Sequence, residues 1–179
     1  MRQALLRQTL CLHPDSHCAA ATGIAVDVAL PRPGSLILSY VVSGKISELR
    51  MPPVVAAGRS DELWRHTCFE AFVRTSPGRE YYEFNFSPST QWAAYRFDNY
   101  RSGMRVASEI GAPRIEVRST AESYTLQAAL EFDGLSSPFN LGLSAVLEEA
   151  NGRKSYWALT HAPGKPDFHH ADCFALELS

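Results

Sequence analysis

LWRHTCFEAFVRTSPGREYYEFNFSPSTQWAAYRF, residues 63–97, is the densest aromatic region of the chain. Side chains of a β-strand point alternately to the two faces of its sheet, so alternation of apolar and polar residues indicates strands. Pro and Gly between such runs indicate turns. The stretch predicts three antiparallel strands over residues 67–74, 81–86 and 91–97, joined by turns at Ser76-Pro77-Gly78 and Ser87-Pro88-Ser89.

The register of these strands sets which side chains share a face. A first hairpin centred between residues 77 and 78 places Glu70 opposite Asn85. A second hairpin, centred between residues 88 and 89, places Asn85 opposite Trp92. The bulky apolar side chains then share one face, and this sharing fixes the register. The other face is predicted to carry Glu70, Glu83, Asn85, Trp92 and Arg96.

Two interpretations of this polar-aromatic face remain open. One face of an antiparallel sheet is commonly solvated, and polar residues there need no function. The alternative is a sugar site, since carboxylate, amide and guanidinium groups hydrogen-bond to vicinal hydroxyls while an aromatic ring covers the C–H side of the sugar. The mixture of two carboxylates, an amide, a guanidinium and an indole favours the sugar site.

The composition is that of an ordinary globular protein. The length of 179 residues suits one domain with a substantial core, and we expect residues 1–179 to form a single domain. The net charge is −2, and the Lys and Arg residues are scattered rather than clustered. This distribution argues against nucleic acid or an anionic membrane as a partner.

The sequence also bears on the compartment. No apolar run reaches the roughly 18 residues that a membrane span needs, and Arg7 and Gln8 interrupt the apolar N-terminal stretch, which makes a poor signal peptide. The 4 cysteines are widely spaced and too few for a disulfide scaffold. We therefore expect a cytoplasmic protein with free thiols, and a secreted form with one or two disulfides is the alternative.

Short strands continue through the rest of the chain. Asn151-Gly152 is the strongest hairpin signal. Short strands with turns between them, and no long helix, predict an all-β fold, an antiparallel β-sandwich with a barrel as the alternative. Further strands are predicted at residues 6–12, 24–30, 35–42, 114–118, 124–132, 141–148, 155–160 and 173–178.

Four segments, in this order, resemble a known family. They are LW-x-H-T-x-FE, YYEFNFSPS-x-x-WAAY-x-F, Y-x-L-x-A-x-L-x-F and YWAL-x-H-x-PGKPDFHH-x-x-x-FALEL. Together they resemble the DOMON-like relatives of the family 9 carbohydrate-binding modules, from about Leu63 to the C-terminus. The resemblance implies a β-sandwich and a ligand that is either a sugar or haem, the two ligand classes of the superfamily.

The resemblance also implies roles for individual residues. Trp64 matches the aromatic residue that stacks on a sugar ring, and Glu70 matches the acid that bonds to sugar hydroxyls. Asn85 matches a polar, ligand-facing residue on the next strand. Glu83 stands where those modules use a basic residue, which reverses the hydrogen-bonding character. Phe168 stands where they use a second stacking tryptophan, which weakens stacking.

Other chemistries compete with simple sugar binding. Glu70 and Glu83 form a carboxylate pair of the kind that glycosidases use, although hydrogen-bonded or solvated pairs are the commoner case. Adjacent histidines on an extended segment point in opposite directions, so His169 and His170 are not expected to reach one ion. The metal-binding residue types near the C-terminus are His161, Asp167, His169 and His170.

Haem and protein partners are the rival ligands. Related domains bind haem through Met and His or Lys, but Met51 and Met104 stand in no diagnostic spacing to a histidine, and a loop methionine more often packs than ligates. No cofactor is therefore predicted. The polar-aromatic face equally suits an interaction module, because aromatic and Arg residues are enriched at protein interfaces.

We predict a non-catalytic module that binds a small ligand, preferably a carbohydrate, on the polar-aromatic face. Trp64 and Phe168 are expected to stack on the ring, and His66 is expected at the rim. The predicted ligand-binding residues are Trp64, His66, Glu70, Glu83, Asn85, Trp92, Arg96, Arg101, Phe168 and His169.

Overall fold

The alternation in the sequence becomes twelve β-strands in a computed structural model that describes residues 5–75, 78–135 and 138–179. Within these residues the only helical segments are short 3-10 turns, among them Leu63–Arg65 and Ala171–Cys173. The predicted all-β fold is confirmed. The strands are β1 (Leu5–Leu12), β2 (Ala21–Ala29), β3 (Ser35–Gly44), β4 (Cys68–Thr75), β5 (Tyr81–Phe86), β6 (Trp92–Phe97), β7 (Arg105–Val106), β8 (Arg114–Ser119), β9 (Ser123–Glu131), β10 (Phe139–Glu148), β11 (Lys154–Ala158) and β12 (Leu176–Leu178).

The strands follow one another in a curled antiparallel sheet of order β7-β6-β5-β4-β10-β11-β1-β2-β3-β9-β8, with β12 beside the start of β10. Strand β1 joins the two halves, since it pairs with β2 up to Leu10 and with β11 at Cys11 and Leu12. Among the described strands, β7 and β8 end this order, so the sheet stays open, as in a sandwich rather than a barrel.

The main core lies between the two halves of the curled sheet. Side chains at every second position of β3 are fully buried, and Tyr40 is one of them. The Tyr40 ring packs 5.1 Å from the ring of Phe69 on β4, and its hydroxyl donates a 2.7 Å hydrogen bond to the main-chain oxygen of Glu70. This contact joins β3 to β4, the strand that carries the predicted site residue Glu70.

Replacing Tyr40 with phenylalanine is expected to lower the free energy of unfolding by about 1–2 kcal/mol, because a buried hydrogen bond to a strand carbonyl is lost. Urea unfolding measures the change. Tyr124→Phe is the matched control, since Tyr124 is also buried in the core and its hydroxyl has no hydrogen-bond partner within the described residues. Equal losses in the two variants would contradict the role given to the Tyr40 hydroxyl.

A second, smaller apolar cluster covers the outer face of the β4, β5, β6 and β10 half. It contains Phe72 and Tyr81 of the sheet together with Phe168 and Phe174 of the C-terminal segment. Gly142 on β10 lets this segment approach, because a Cβ there would lie 3.0 Å from the Cys173 main-chain oxygen. The predicted solvated face is therefore largely covered, and the cover forms the candidate site.

The two hairpins that set the polar face have different outcomes. Glu70 lies opposite Asn85, so the first predicted register is confirmed, although the predicted turn residues Ser76 and Pro77 lie outside the described residues. Trp92 lies opposite Phe86 and not opposite Asn85. The second register is therefore wrong by one residue.

The loop of the second hairpin is one residue longer than predicted, since the predicted strands left residues 87–90 between them. The loop spans residues 87–91 and is closed by hydrogen bonds from the Ser87 N–H to the Gln91 oxygen and from the Thr90 N–H to the Ser87 oxygen, both 2.9 Å. A shift of one residue turns every side chain of a strand to the other face. The predicted placement of Trp92 and Arg96 on the polar face is therefore wrong.

The Asn151-Gly152 hairpin is confirmed between β10 and β11, where Glu148 pairs with Lys154. Gly152 adopts a left-handed backbone with φ of 85°, a conformation that suits glycine in such a turn. In the part of the chain that the structure describes, no helix has the length and apolar composition that a membrane crossing requires.

Candidate ligand-binding pocket

A pocket of about 480 Å³ opens on the outer face of the β4–β6 and β10 half, next to the C-terminal segment. Its volume lies within the range of small-molecule sites. The sheet supplies its floor, the 3-10 turn before β4 and the 98–104 loop supply parts of its rim, and residues 166–169 supply a wall. Six predicted ligand-binding residues line it: Trp64, Glu70, Glu83, Arg101, Phe168 and His169.

Two carboxylates on neighbouring strands form the floor. Glu70 lies opposite Asn85 and Glu83 lies opposite Phe72, so the two carboxylates are diagonal neighbours on one face. Glu70 is 3 % exposed and Glu83 is 6 % exposed. The Asn85 amide donates a 3.1 Å hydrogen bond to Glu83 Oε1. No donor within the described residues hydrogen-bonds to the Glu70 carboxylate.

Burial sets the protonation of this pair. Burial, and then the nearby Glu83, raise the pKa of Glu70 well above its ordinary value, with Arg101 opposing. Burial raises the pKa of Glu83 to about 7, against the Asn85 hydrogen bond and the Arg101 charge. Two carboxylates that share a buried site share protons as well. The floor is therefore only partly ionised at neutral pH.

A neutral imidazole stands beside the carboxylates. The Tyr81 hydroxyl accepts a 3.2 Å hydrogen bond from the Arg101 main-chain N–H and lies 2.8 Å from His169 Nδ1. The other ring nitrogen, Nε2, lies 3.6 Å from Glu83 Oε2. Burial and then Arg101 lower the pKa of His169 to about 4, with Asp167 opposing.

Asp167 holds the loop of residues 98–104 against the C-terminal segment. Its Oδ1 accepts hydrogen bonds from Arg101 Nη2 at 2.7 Å and from the His169 N–H at 3.1 Å. Its Oδ2 accepts a 2.5 Å hydrogen bond from the Tyr100 hydroxyl. Arg101 has a left-handed backbone with φ of 48°, a strained state that needs such support. The charged rim of the pocket is thus preorganised.

Trp64 and Phe168 present different amounts of ring to the pocket. Trp64 is 38 % exposed and packs against Tyr95, with ring centroids 6.2 Å apart and planes at 73°. Phe168 is 9 % exposed and tilts against Tyr156 at 6.2 Å. Trp64 therefore offers the larger free aromatic surface, and the stacking predicted for both rings stays a prediction.

Comparisons with known proteins show the fold and no family. No family model matches the sequence, and no curated protein matches it. Among solved structures, the chain is similar to that of a proposed carbohydrate-binding protein from Bacteroides uniformis, with a TM-score of 0.67 over 94 % of this chain and 84 % of that chain. The sequences are 14 % identical. The likeness shows a shared fold.

Four predicted residues do not line the pocket. Asn85 is fully buried beneath the pocket floor, where its amide donates a hydrogen bond to Glu83. His66 places Nδ1 at 2.8 Å from Glu148 Oε2, and the same carboxylate accepts a 3.0 Å hydrogen bond from Arg50. His66 is therefore a neighbour of the rim in an ion-pair cluster rather than a rim contact.

The other two, Trp92 and Arg96, belong to the opposite face, as their register requires. Trp92 is buried in the main core, with the Arg59 guanidinium 4.1 Å from its ring centroid. Arg96 pairs with Glu80 at 2.5 Å. Neither side chain is available to a ligand in the pocket.

The sequence reasoning missed several lining residues. Phe97 falls on the pocket face as a direct result of the corrected β6 register. Tyr156 lines the pocket while its neighbour Trp157 lies in the main core, because successive side chains of β11 point to opposite faces. Lys154 and Arg65 also line the pocket, and the sequence held no signal for either.

The donor set does not fit haem. Met104 and His169 both line the pocket, but Nδ1 of His169 is bonded to Tyr81 and Nε2 faces Glu83. Two buried carboxylates would also meet the apolar face of the porphyrin, at a cost in desolvation. Within the described part of the chain, no group of three His, Cys, Asp or Glu side chains is placed to hold a metal ion.

Proposed function

We propose that this chain is a non-catalytic module that binds a carbohydrate in the pocket above Glu70 and Glu83. The observation that carries the proposal is the Glu70 carboxylate, which lines the pocket floor, is 3 % exposed and has no hydrogen-bond donor among the described residues. Its oxygens are free to accept hydrogen bonds from a ligand. A sugar hydroxyl supplies the missing donor, and the exposed Trp64 ring supplies a surface for the C–H face of the sugar.

The rest of the pocket suits the same ligand. The His169 imidazole and the Arg101 guanidinium bring N–H groups to the edge of the carboxylate floor, so donors and acceptors stand side by side, as vicinal hydroxyls require. The similarity in fold to a proposed carbohydrate-binding protein supports this proposal. The resemblance to the DOMON-like relatives of the family 9 modules supports it as well.

The recessed floor favours a small ligand over a protein partner. Interface hot spots are accessible side chains that insert into a partner, whereas Glu70 and Glu83 are almost fully buried. A protein surface would contact only the rim of the pocket. We propose no catalysis for this pair, because raised pKa values of neighbouring carboxylates also occur at binding and structural sites.

Replacing Trp64 with alanine is expected to lower sugar affinity about tenfold or more, as truncation of a central aromatic contact does. A thermal-shift screen of mono- and disaccharides identifies a ligand, because a ligand of the native state raises the melting temperature with concentration. Calorimetric titration of that ligand into both proteins then gives the affinities.

Val54→Ala is the control variant, since Val54 is 63 % exposed and lies outside the pocket. It should bind as the parent protein does, and all three proteins should unfold at similar temperatures. Undiminished affinity in Trp64→Ala would remove the stacking role of Trp64. A screen without any sugar hit would overturn the proposed function.

A further inference from the structure

The pocket floor has more carboxyl groups than cations that could pair with them. Glu70 has no donor among the described residues, and Glu83 has the Asn85 amide as its hydrogen-bond donor. The nearest imidazole, His169, is neutral and lies 3.6 Å from Glu83. Only Arg101 acts as a cation on both carboxylates.

The basic residues of the pocket have other partners or lie away from the floor. Arg101 is 2.7 Å from Asp167, which holds it at the rim. Arg65 is 2.7 Å from Glu62. Lys154 lines the pocket from β11 but is not among the charges that act on the two floor carboxylates. The pocket floor therefore has little positive charge beside its two carboxylates.

We infer that the sugar bound here carries a primary ammonium group, which lies between Glu70 and Glu83. This inference rests on the proposed carbohydrate binding and specifies its ligand as a free amino sugar. The ammonium has three N–H donors and no acceptor, so it satisfies both carboxylates at once. It also favours the ionised form of both carboxylates, because its positive charge takes the place of the protons that they hold without a ligand.

The alternatives to an ammonium fit this floor less well. A hydroxyl offers one donor and no charge, so it bonds to one of the two carboxylates at a time and offsets the charge of neither. An acetamido group offers one donor and adds an acceptor that would face a carboxylate. Trp64 suits the same choice, because an indole face attracts cations and Trp64 lies in the same pocket.

Calorimetric titration at pH 7.5 tests the inference with three matched sets of ligands. Glucosamine, galactosamine and mannosamine are each compared with their N-acetyl form and with the parent hexose. At least one free amine is expected to bind about 10- to 100-fold more tightly than its two neutral forms, the range of a hydrogen bond to a charged group. Ethanolamine serves as an amine without a sugar ring and is expected to bind much more weakly.

The variant Glu70→Gln is expected to reduce this preference to a few-fold, because the amide cannot ionise beside an ammonium. Gln keeps the volume of the Glu70 side chain, so the variant should fold, and its melting temperature verifies this. Glu122→Gln is the control, since Glu122 is exposed on the far half of the sheet, and it should keep the full preference.

Each other outcome counts against the inference in a different way. Equal binding of the amine and of a neutral form overturns it and leaves carbohydrate binding intact. Equal binding of ethanolamine would mean that the sugar ring is not recognised and that the pocket is a general amine site. No binding by any sugar overturns the inference and the proposed function together.

Discussion

Trp92→Ala is expected to lower the free energy of unfolding by about 3–5 kcal/mol, the usual cost of removing a buried Trp or Phe side chain. Trp92 is 4 % exposed and belongs to the main core between the sheet halves. Its ring also lies under the Arg59 guanidinium, 4.1 Å from the centroid. Truncation therefore leaves a cavity and removes a cation–π contact.

The same experiment distinguishes the core position of Trp92 on β6 from the pocket position of Trp64 in the 3-10 turn before β4. Trp64→Ala should cost about 1 kcal/mol or less, because partly exposed side chains contribute little to stability, yet it should lose sugar affinity. Trp92→Ala should show the reverse, with reduced stability and near-normal affinity at a temperature where it is folded. Urea unfolding and calorimetric titration measure both quantities. A Trp92→Ala protein of normal stability that no longer binds sugar would contradict the register of the second hairpin.

The first hairpin and the carboxylate floor were predictable from local sequence. Alternation along both strands is strong, and a shift of β5 by one residue against β4 would turn Glu83 and Asn85 into the main core beside Phe69. Only one register avoids that cost. The pairing of Glu70 with Asn85, and the common face of the two carboxylates, followed from it.

The second hairpin was not predictable in the same way. Trp92 and Arg96 share one parity of β6, while Tyr95 and Phe97 share the other, so aromatic residues stand on both faces. The two registers do not differ by a charged side chain that is buried in one and fully exposed in the other, so the cost of burying a charge does not choose between them. The choice is made by the loop of residues 87–91, whose closing hydrogen bonds depend on its conformation.

The cover over the outer face was also beyond local reasoning. The polar face was predicted to be open, either as a solvated surface or as a sugar site, but the C-terminal segment packs Phe168 and Phe174 against it. This contact joins residues that are about a hundred positions apart in sequence. It converts two surface carboxylates into buried ones and so creates the raised pKa values of the pocket.

The variant Glu83→Gln is expected to gain stability over the parent protein as the pH rises, by about 3 kcal/mol at most. The pKa of Glu83 is about 7 in the folded protein against an ordinary value of 4.5. The folded state therefore holds the proton more tightly, and the stability from Glu83 is fully present below pH 4.5 and lost as the pH rises to about 7. This interval corresponds to about 3 kcal/mol.

The comparison of variant with parent is needed because His169 acts in the opposite direction. Its pKa falls from 6.5 to about 4, so the stability from His169 is present above pH 6.5 and is lost as the pH falls toward 4. Between pH 4.5 and 6.5 the two effects oppose each other in the parent protein, and its stability alone would hide both.

Urea unfolding of the parent, Glu83→Gln and Glu122→Gln at intervals from pH 5 to pH 8 separates these effects. Gln keeps an oxygen for the Asn85 hydrogen bond and cannot ionise, so the difference between Glu83→Gln and the parent should grow with pH. Glu122→Gln is the control for the substitution itself, since Glu122 is exposed. A constant difference for Glu83→Gln would mean that Glu83 ionises normally, and the floor would then carry full charge at neutral pH without any ligand. A growing difference that an amino sugar abolishes would instead place the bound ammonium at the carboxylate pair, since a cation there restores the ionised state without cost.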